Sequence, residues 1–338
     1  MKEFSRRTLL LVLLPCLATL AAAGEETFQG RNPEQWLSQM SRAFTELNYD
    51  GIFSYYSGSD LSSLRVVHAV IDGVQRERLV HLNGALREIV RDGEEVACIL
   101  QPGDEILALE GSIPSGPFAR AFTRRFEAVN KVYTTDFHGV GRVADRTAIR
   151  LAIKPVDTER FGYRLWLDES SGLLLRSELL DNRGNRLEIF QFSRIDIDQP
   201  ISEESLQPQT PSGSVISHLT LESSDPLKET VGDRHMHWRA GWLPPGFEMD
   251  SWDIRHAPNS KRSVNTLMYS DGLAAISVFI EDMPPLGAGN VTSRSGATVV
   301  LTQMIQGPDD TRHLVTVAGE VPTETARKIA QSIEYQKR

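Results

Sequence analysis

Apolar residues change their period along this chain. Trp36, Leu37, Met40, Phe44 and Leu47 recur at helical spacing and give one apolar face. The segment opens on Asn32-Pro33-Glu34-Gln35, where Asn32 can cap, Pro33 fits the first turn and Gln35 can reach back to the cap. The spacing predicts a helix that packs on a sheet. From Tyr49 the pattern shortens to strand-like runs about ten residues apart. Asp72-Gly73, Asn83-Gly84, Asp92-Gly93 and Pro102-Gly103-Asp104 separate them, and Asn-Gly and Asp-Gly favour tight hairpins. Glu77 to Leu100 therefore reads as an antiparallel meander. Strands resume around Val132 to Val140 and continue to Ile195, with turns at Asp168 to Gly172 and Asp181 to Gly184. About nine or ten antiparallel strands in succession predict a large, strongly curved sheet or open barrel with helices, an α+β fold.

Alternation within the strands adds a second expectation. Ile149, Leu151 and Ile153 alternate with Arg150 and Lys154, as a half-exposed strand should. Val66 with Val67, Val70 with Ile71, Val96 through Leu100, Ile106 through Leu109 and Leu173 through Leu175 are apolar on both faces. Either a second layer of protein covers the extra face, or the concave side encloses an apolar cavity. Val96, Cys98, Leu100, Leu107, Leu174, Phe190 and Phe192 are the candidate cavity residues.

Between the two groups of strands, Ser112 to Asn130 places Phe118, Phe122 and Phe126 among Arg120, Arg124 and Arg125. A short helix that buries its phenylalanines and solvates its arginines accounts for this, and so does a gating element built on Phe118, Phe122, Arg124 and Arg125. Ile201 to Ser217 is rich in Ser, Glu, Gln and Pro and reads as a linker. The expected organisation is a first domain over 24–205, a linker over 206–217 and a smaller α+β domain over 218–338, with strand candidates from Val215 onward. Pro322 to Ile333 carries Ala326, Ile329, Ala330 and Ile333 on one helical face.

The first residues set the compartment. Lys2, Arg6 and Arg7 precede the apolar run Leu9 to Leu14, and Ala21-Ala22-Ala23 offers small residues for cleavage. An export signal removed after Ala23 is expected, with a retained anchor or lipidation at Cys16 as alternatives. Cleavage removes three basic residues and Glu3, so the formal charge of −9 becomes about −11 over the remaining ~315 residues. That balance disfavours nucleic acid and anionic membrane as general partners. Only Cys98 survives processing, which leaves no intrachain disulfide.

Candidate chemistry is sparse. No Gly-x-Ser-x-Gly elbow, phosphate loop, dinucleotide fingerprint or His-Glu-x-x-His helix occurs. His235 and His237 would share a strand face as metal ligands, but no third ligand lies near them in sequence, and ordinary surface histidines are the favoured reading. No metal, cofactor or catalytic residue is assigned. Trp238, Trp242, Pro244, Pro245, Phe247 and Trp252 cluster at the entrance to the second domain. Such clusters anchor interfaces or cores, and Trp238, Trp242, Phe247, Tyr269 and Phe279 are the candidate partner-binding residues.

The meander, with Glu77-Arg-Leu-Val-His-Leu-Asn-Gly84, Arg87-Glu-Ile-Val-Arg-Asp-Gly93 and Cys98, resembles the MucB/RseB family of periplasmic sigma-factor regulators. So do the Asn32 to Leu37 helix start, Gly241-Trp-Leu-Pro-Pro-Gly-Phe247 and Tyr269-Ser-Asp-Gly-Leu-Ala-Ala-Ile-Ser-Val-Phe-Ile280, in the same order across both expected domains. The resemblance implies a first domain similar to the lipoprotein carriers LolA and LolB, curved around an apolar cavity. It also implies a periplasmic protein that binds a membrane-bound anti-sigma factor and shields it from a DegS-type protease. Lipid or lipopolysaccharide would loosen that complex. A homodimer is compatible with this reading. A periplasmic lipid or lipoprotein carrier is the alternative, and a secreted enzyme with a scattered site is a third.

Overall fold

The computed structural model describes residues 27–93, 95–100, 131–209, 215–220, 237–256, 263–282 and 289–336. The expected leader over 1–23, Leu107 and the gating candidates Phe118, Phe122, Arg124 and Arg125 lie outside them.

Helix α1 (Pro33–Glu46) starts where its capping box is made. Asn32 Oδ1 accepts from the Gln35 amide at 2.9 Å, and the Gln35 side chain accepts from the Asn32 amide at 2.9 Å. Its apolar face, with Trp36, Leu37, Met40, Ala43 and Phe44, is buried.

Ten strands follow: β1 (Tyr49–Ser57), β2 (Asp60–Ile71), β3 (Val74–His81), β4 (Arg87–Asp92), β5 (Glu95–Leu100), β6 (Tyr133–Val143), β7 (Arg146–Pro155), β8 (Gly162–Asp168), β9 (Leu174–Leu180) and β10 (Arg186–Ile197). Helix α2 (Glu203–Leu206) and β11 (Val215–Thr220) come next. All eleven strands form one antiparallel sheet, in the order β11-β5-β4-β3-β2-β1-β10-β9-β8-β7-β6. Its edges, β11 and β6, do not pair with each other, so the sheet is open. It curves over α1, whose apolar face shares one core with Phe53, Leu64, Ile149, Leu151, Leu165, Phe190 and Phe192 of the inner face.

Two features differ from the sequence expectation. The strand pattern assigns Val215–Thr220 to the start of the second domain, whereas it pairs with β5 as an edge strand of the first sheet. Residues 201–209, read as linker, lie against the outer face of β2 to β4. Val67, Ala69 and Leu206 form a small core there with Ile71 and Ile201. Arg78 and Glu88, 4% and 1% exposed, form an ion pair beneath this segment, and the Ser205 carbonyl and Gln209 amide complete it. Local composition could not reveal this, because the segment is polar except where it touches the sheet. The doubly apolar Val66-Val67 pair thus has a layer of protein on each face, with Val66 in the α1 core and Val67 under Leu206.

The second unit contains β12 (Trp238–Ala240), β13 (Glu248–His256), β14 (Ser263–Ser270), β15 (Ala275–Asp282), β16 (Val291–Ser295), β17 (Thr298–Gln306), β18 (Arg312–Gly319), helix α3 (Thr323–Gln331) and β19 (Ile333–Tyr335). Six strands pair in the order β13-β14-β15-β18-β17-β16, while β12 pairs with β19. Ala326, Ile329 and Ala330 of α3 share a core with Ile276, Val278, Ile280, Val299 and Val317 of this sheet. The expected α3 face is the one buried.

Candidate functional site

The two sheets meet along a seam made of polar groups with almost no access to water. Arg160, in the loop before β8, is fully buried. Its Nη1 donates to Asp271 Oδ2 at 2.6 Å, its Nε and Nη2 donate to Asp157, and its Nη2 also donates to the Pro245 carbonyl. The guanidinium lies 5.4 Å from the Tyr133 ring centroid and 5.3 Å from that of Phe247. Tyr133 Oη donates to Asp271 Oδ2 at 3.0 Å, and burial followed by the Asp271 charge pushes its phenol well up. The other oxygen, Asp271 Oδ1, accepts the amides of Leu273 and Ala274 at 2.9 and 2.8 Å and holds the turn before β15. One carboxylate therefore shapes a turn of the second sheet and anchors that turn to the first.

A second contact lies at the start of β10, in the row that runs through Leu179 to Tyr163. Glu188, on the inner face, accepts from Tyr55 Oη at 2.6 Å, Ser57 Oγ at 3.0 Å and the Ala297 amide at 3.0 Å. Ala297 is at the tip of the β16–β17 hairpin, and both it and Leu273 belong to the core of the first sheet. Gly296 has φ +56° at this tip, and a Cβ there would stand 2.8 Å from Glu188 Oε1. Only glycine allows both the turn and the close approach. Glu159 adds a third link, accepting from Thr325 Oγ1 at 2.9 Å and Lys328 Nζ at 2.6 Å on α3.

None of Arg160, Asp271, Glu188 or Glu159 was singled out from sequence. The available signal was indirect: Gly241 to Phe247 and Tyr269 to Ile280 carry the family resemblance, and they supply Pro245, Phe247 and Asp271 to the seam.

The cavity candidates separate into two groups. Leu174, Phe190 and Phe192 are packed solid in the α1 core, with Phe190 and Phe192 rings 5.1 Å apart and both against Phe53. Val96 and Cys98 share the inner face of the β4–β5 wall with Ile89, at the other end of the sheet. Val96 is buried, and burial pushes the half-buried Cys98 thiol up. Leu100 continues that strand and pairs with Arg87 and Val215. Among the described residues, a cleft of about 300 Å³ opens beside His138, Lys154, Asp157 and Arg164, and its lining mixes these polar groups with Ile153, Pro155 and Leu180.

The partner candidates also divide. Trp238 is buried with its ring edge-on to His313 and Tyr335, and Tyr269 is buried with its Oη accepting from the Ala240 amide at 3.2 Å. Phe247 lies in the seam. Trp242 is half-buried under Lys328 Nζ, 5.3 Å from the ring centroid. Phe279 is half-buried on the face of β15 opposite Ile276, Val278 and Ile280, the face that α3 leaves open.

One arrangement looks like nucleophilic machinery. Thr311 Oγ1 is 2.9 Å from His313 Nε2, and His313 Nδ1 is 2.9 Å from Asp282 Oδ1. The Thr311 hydroxyl, however, donates to the Pro308 carbonyl at 2.7 Å, so toward the imidazole it can only accept. This geometry ties a turn. Among the described residues no cluster of three potential metal ligands occurs, and His235 lies outside them.

Comparison with known proteins follows the same division into two units. The MucB/RseB N-terminal domain family matches residues 32–210, and the MucB/RseB C-terminal domain family matches 232–334. The sigma factor AlgU regulatory protein MucB of Pseudomonas aeruginosa is 35% identical over 331 residues, covering 97% of each chain. The sigma-E factor regulatory protein RseB of Escherichia coli is 30% identical over 304 residues, covering 88% of this chain and 89% of its own. A crystal structure of MucB in complex with MucA(peri) superposes with a TM-score of 0.73 at 32% identity, over 91% of this chain and 100% of that one. A crystal structure of MucB gives 0.63 at 30% identity, over 90% and 98%.

Proposed function

This chain belongs to the MucB/RseB family, and from that premise we propose that it is a non-enzymatic periplasmic regulator. In this reading it binds the periplasmic segment of a membrane-bound anti-sigma factor and shields that segment from regulated proteolysis. The observation that carries the reading is a match running through both units of a relative crystallised with MucA(peri). No helix among the described residues is long and apolar enough to cross a membrane.

Within this reading the aromatic candidates have different duties. Trp238, Tyr269 and Phe247 hold the second core and the seam, so they shape the partner surface from behind. Phe279 and Trp242 retain exposed area and are the contacts we assign to the partner. Acyl chains of lipid or lipopolysaccharide belong on the β4–β5 wall with Val96, Cys98 and Leu100. The packed Leu174, Phe190 and Phe192 serve as its support. The seam then couples the two ligands: lipid that favours a different seating of the second sheet weakens the partner, and the partner weakens lipid by the same factor.

The test is calorimetry of the mature chain with the periplasmic segment of an anti-sigma factor from the same genome, alongside cleavage of that segment by a DegS-type protease. Binding and slowed cleavage are expected, with Phe279→Ala weakening both. A chain that neither binds the segment nor slows its cleavage would sink the proposal.

A further inference from the structure

The outer face of the first sheet carries a cationic row that the proposed function does not use. Register sets Arg150 of β7, Trp166 of β8, Arg176 of β9 and Gln191 of β10 side by side. The Arg150 and Arg176 guanidinium groups lie 5.7 and 4.8 Å from the Trp166 centroid. Stacking uses the flat face of a guanidinium and leaves its N–H edge free for a planar oxyanion. Gly141 leaves room for this stack, because a Cβ there would stand 3.2 Å from both Arg150 Cδ and Trp166 Cδ1.

In the neighbouring row three arginines converge on one carboxylate. Arg164 at 3.4 Å, Arg186 at 3.6 Å and Arg176 all reach Glu178, whose side chain is 4% exposed. Lys154 pairs with Asp136 and Arg146 with Asp168, so those charges cancel. Four arginines against Glu178 leave a local excess of three positive charges on a chain of formal charge −9. Arg176 Nε is buried without an acceptor, and among the described residues no acceptor faces the Arg150 guanidinium. The Arg150 guanidinium, half-buried and without an acceptor among the described residues, is the donor that an outside carboxylate can reach. The Glu178 row continues through Ile189 and Tyr56 to Leu61, and the last two are 39% and 61% exposed.

We propose that this outer face docks an acidic, partly apolar peptide segment of a partner protein. Arg176 is held by Gln191 and Glu178, so carboxylates of the segment take the free edges of Arg150 and Arg186, while its apolar side chains cover Ile189, Tyr56 and Leu61. Glu178 already displays the recognition chemistry in place, a carboxylate held by several arginines. Curvature favours a peptide over a bilayer. A flat membrane meets a sheet curved over α1 only at its crest, whereas a flexible chain follows both rows. The segment need not belong to the anti-sigma factor, so failure of that reading leaves this surface unaffected.

Fluorescence anisotropy on the mature chain tests the proposal, with a labelled peptide of alternating glutamate and leucine pairs and its glutamine counterpart. The acidic peptide is expected to bind and to lose at least about tenfold in affinity with Arg150→Glu plus Arg186→Glu. It should lose affinity again between about 50 and 300 mM salt. The variant should melt like the parent, because Arg150 has no ion pair among the described residues and Arg186 has only the 3.6 Å contact. Phosphatidylglycerol vesicles form the competing arm. Absent binding, equal binding by the variant, equal binding of the glutamine peptide, or a charge-dependent response to vesicles alone would each overturn the proposal.

Discussion

Arg160 donates to Asp271 at 2.6 Å across the boundary between the two sheets, and both side chains are excluded from solvent. Removing one member of such a pair leaves the other charged and unpartnered in a dry site, which costs on the order of 3–5 kcal/mol. Arg160→Met should therefore destabilise the chain by about that amount in urea unfolding. Combining it with Asp271→Asn, which keeps an Oδ1 acceptor for the Leu273 and Ala274 amides, should recover part of the loss. A double variant no more stable than Arg160→Met would mean that the guanidinium acts mainly through Asp157, Pro245 and the two rings.

The hairpin tip gives a steric test of the same seam. A side chain at Gly296 would overlap Ser57 Oγ and approach Glu188 Oε1, and its φ of +56° is strained for a β-branched residue. Gly296→Val should unseat the tip without emptying the second core, whose members lie elsewhere. Small-angle scattering should show a larger radius of gyration, and the second sheet should keep its own unfolding transition. An unchanged radius would show that the other links suffice to hold the two sheets together.

These contacts mark the limit of what the sequence could disclose. The capping box of α1 and the Asp72-Gly73 turn, where both residues have positive φ, depend on neighbours in the chain, and both are where the pattern placed them. Arg160 and Asp271 are 111 residues apart, and each looks like an ordinary loop residue from its flanks. Val67 and Leu206 meet for a similar reason: an apolar strand face shows that something covers it, not which segment does so. The aromatic cluster around Trp238 was visible, but whether an aromatic points into a core or out to a partner depends on strand register. Register put Trp238 and Tyr269 inside and left Phe279 on the open face.

Stability should also depend on pH through the seam. Burial, and then the Glu188 carboxylate, push Glu320 from 4.5 up to about 7. Between those values the folded chain holds a proton that the unfolded chain has released, so stability falls as pH rises from about 4.5 to about 7 and levels off above. The upper bound is roughly 3 kcal/mol. Asp168 works in the opposite sense at lower pH. Burial alone would raise it, but hydrogen bonds from Arg146, Ser170 and Ser171 hold it at about 2, so its contribution is lost as pH falls from about 4 toward 2. Half-buried His81 and buried His68, both held below their ordinary value by burial, act in the opposite sense over part of this window, so the test is the difference: from about pH 4.5 to about 7.5 the urea midpoint of Glu320→Gln should rise relative to that of the parent chain. Parallel slopes would remove Glu320 from the account.

Cys98 offers a direct probe of the wall assigned to acyl chains. It is half-buried on the inner face beside Ile89, and its raised pKa lowers the thiolate fraction at neutral pH. Alkylation by iodoacetamide should be slower in the folded chain than in urea. Leu174, Phe190 and Phe192 cannot report on a ligand, because α1 and its neighbours already fill the space around them. Cys98 retains some access, so an acyl chain on this wall must reduce it. Adding lysophosphatidylglycerol below its critical micelle concentration should slow alkylation further, and the urea-unfolded chain should show no such effect. If lipid leaves the folded rate unchanged while binding is detected by another method, the acyl chains lie elsewhere and the β4–β5 wall is only a structural face of the sheet.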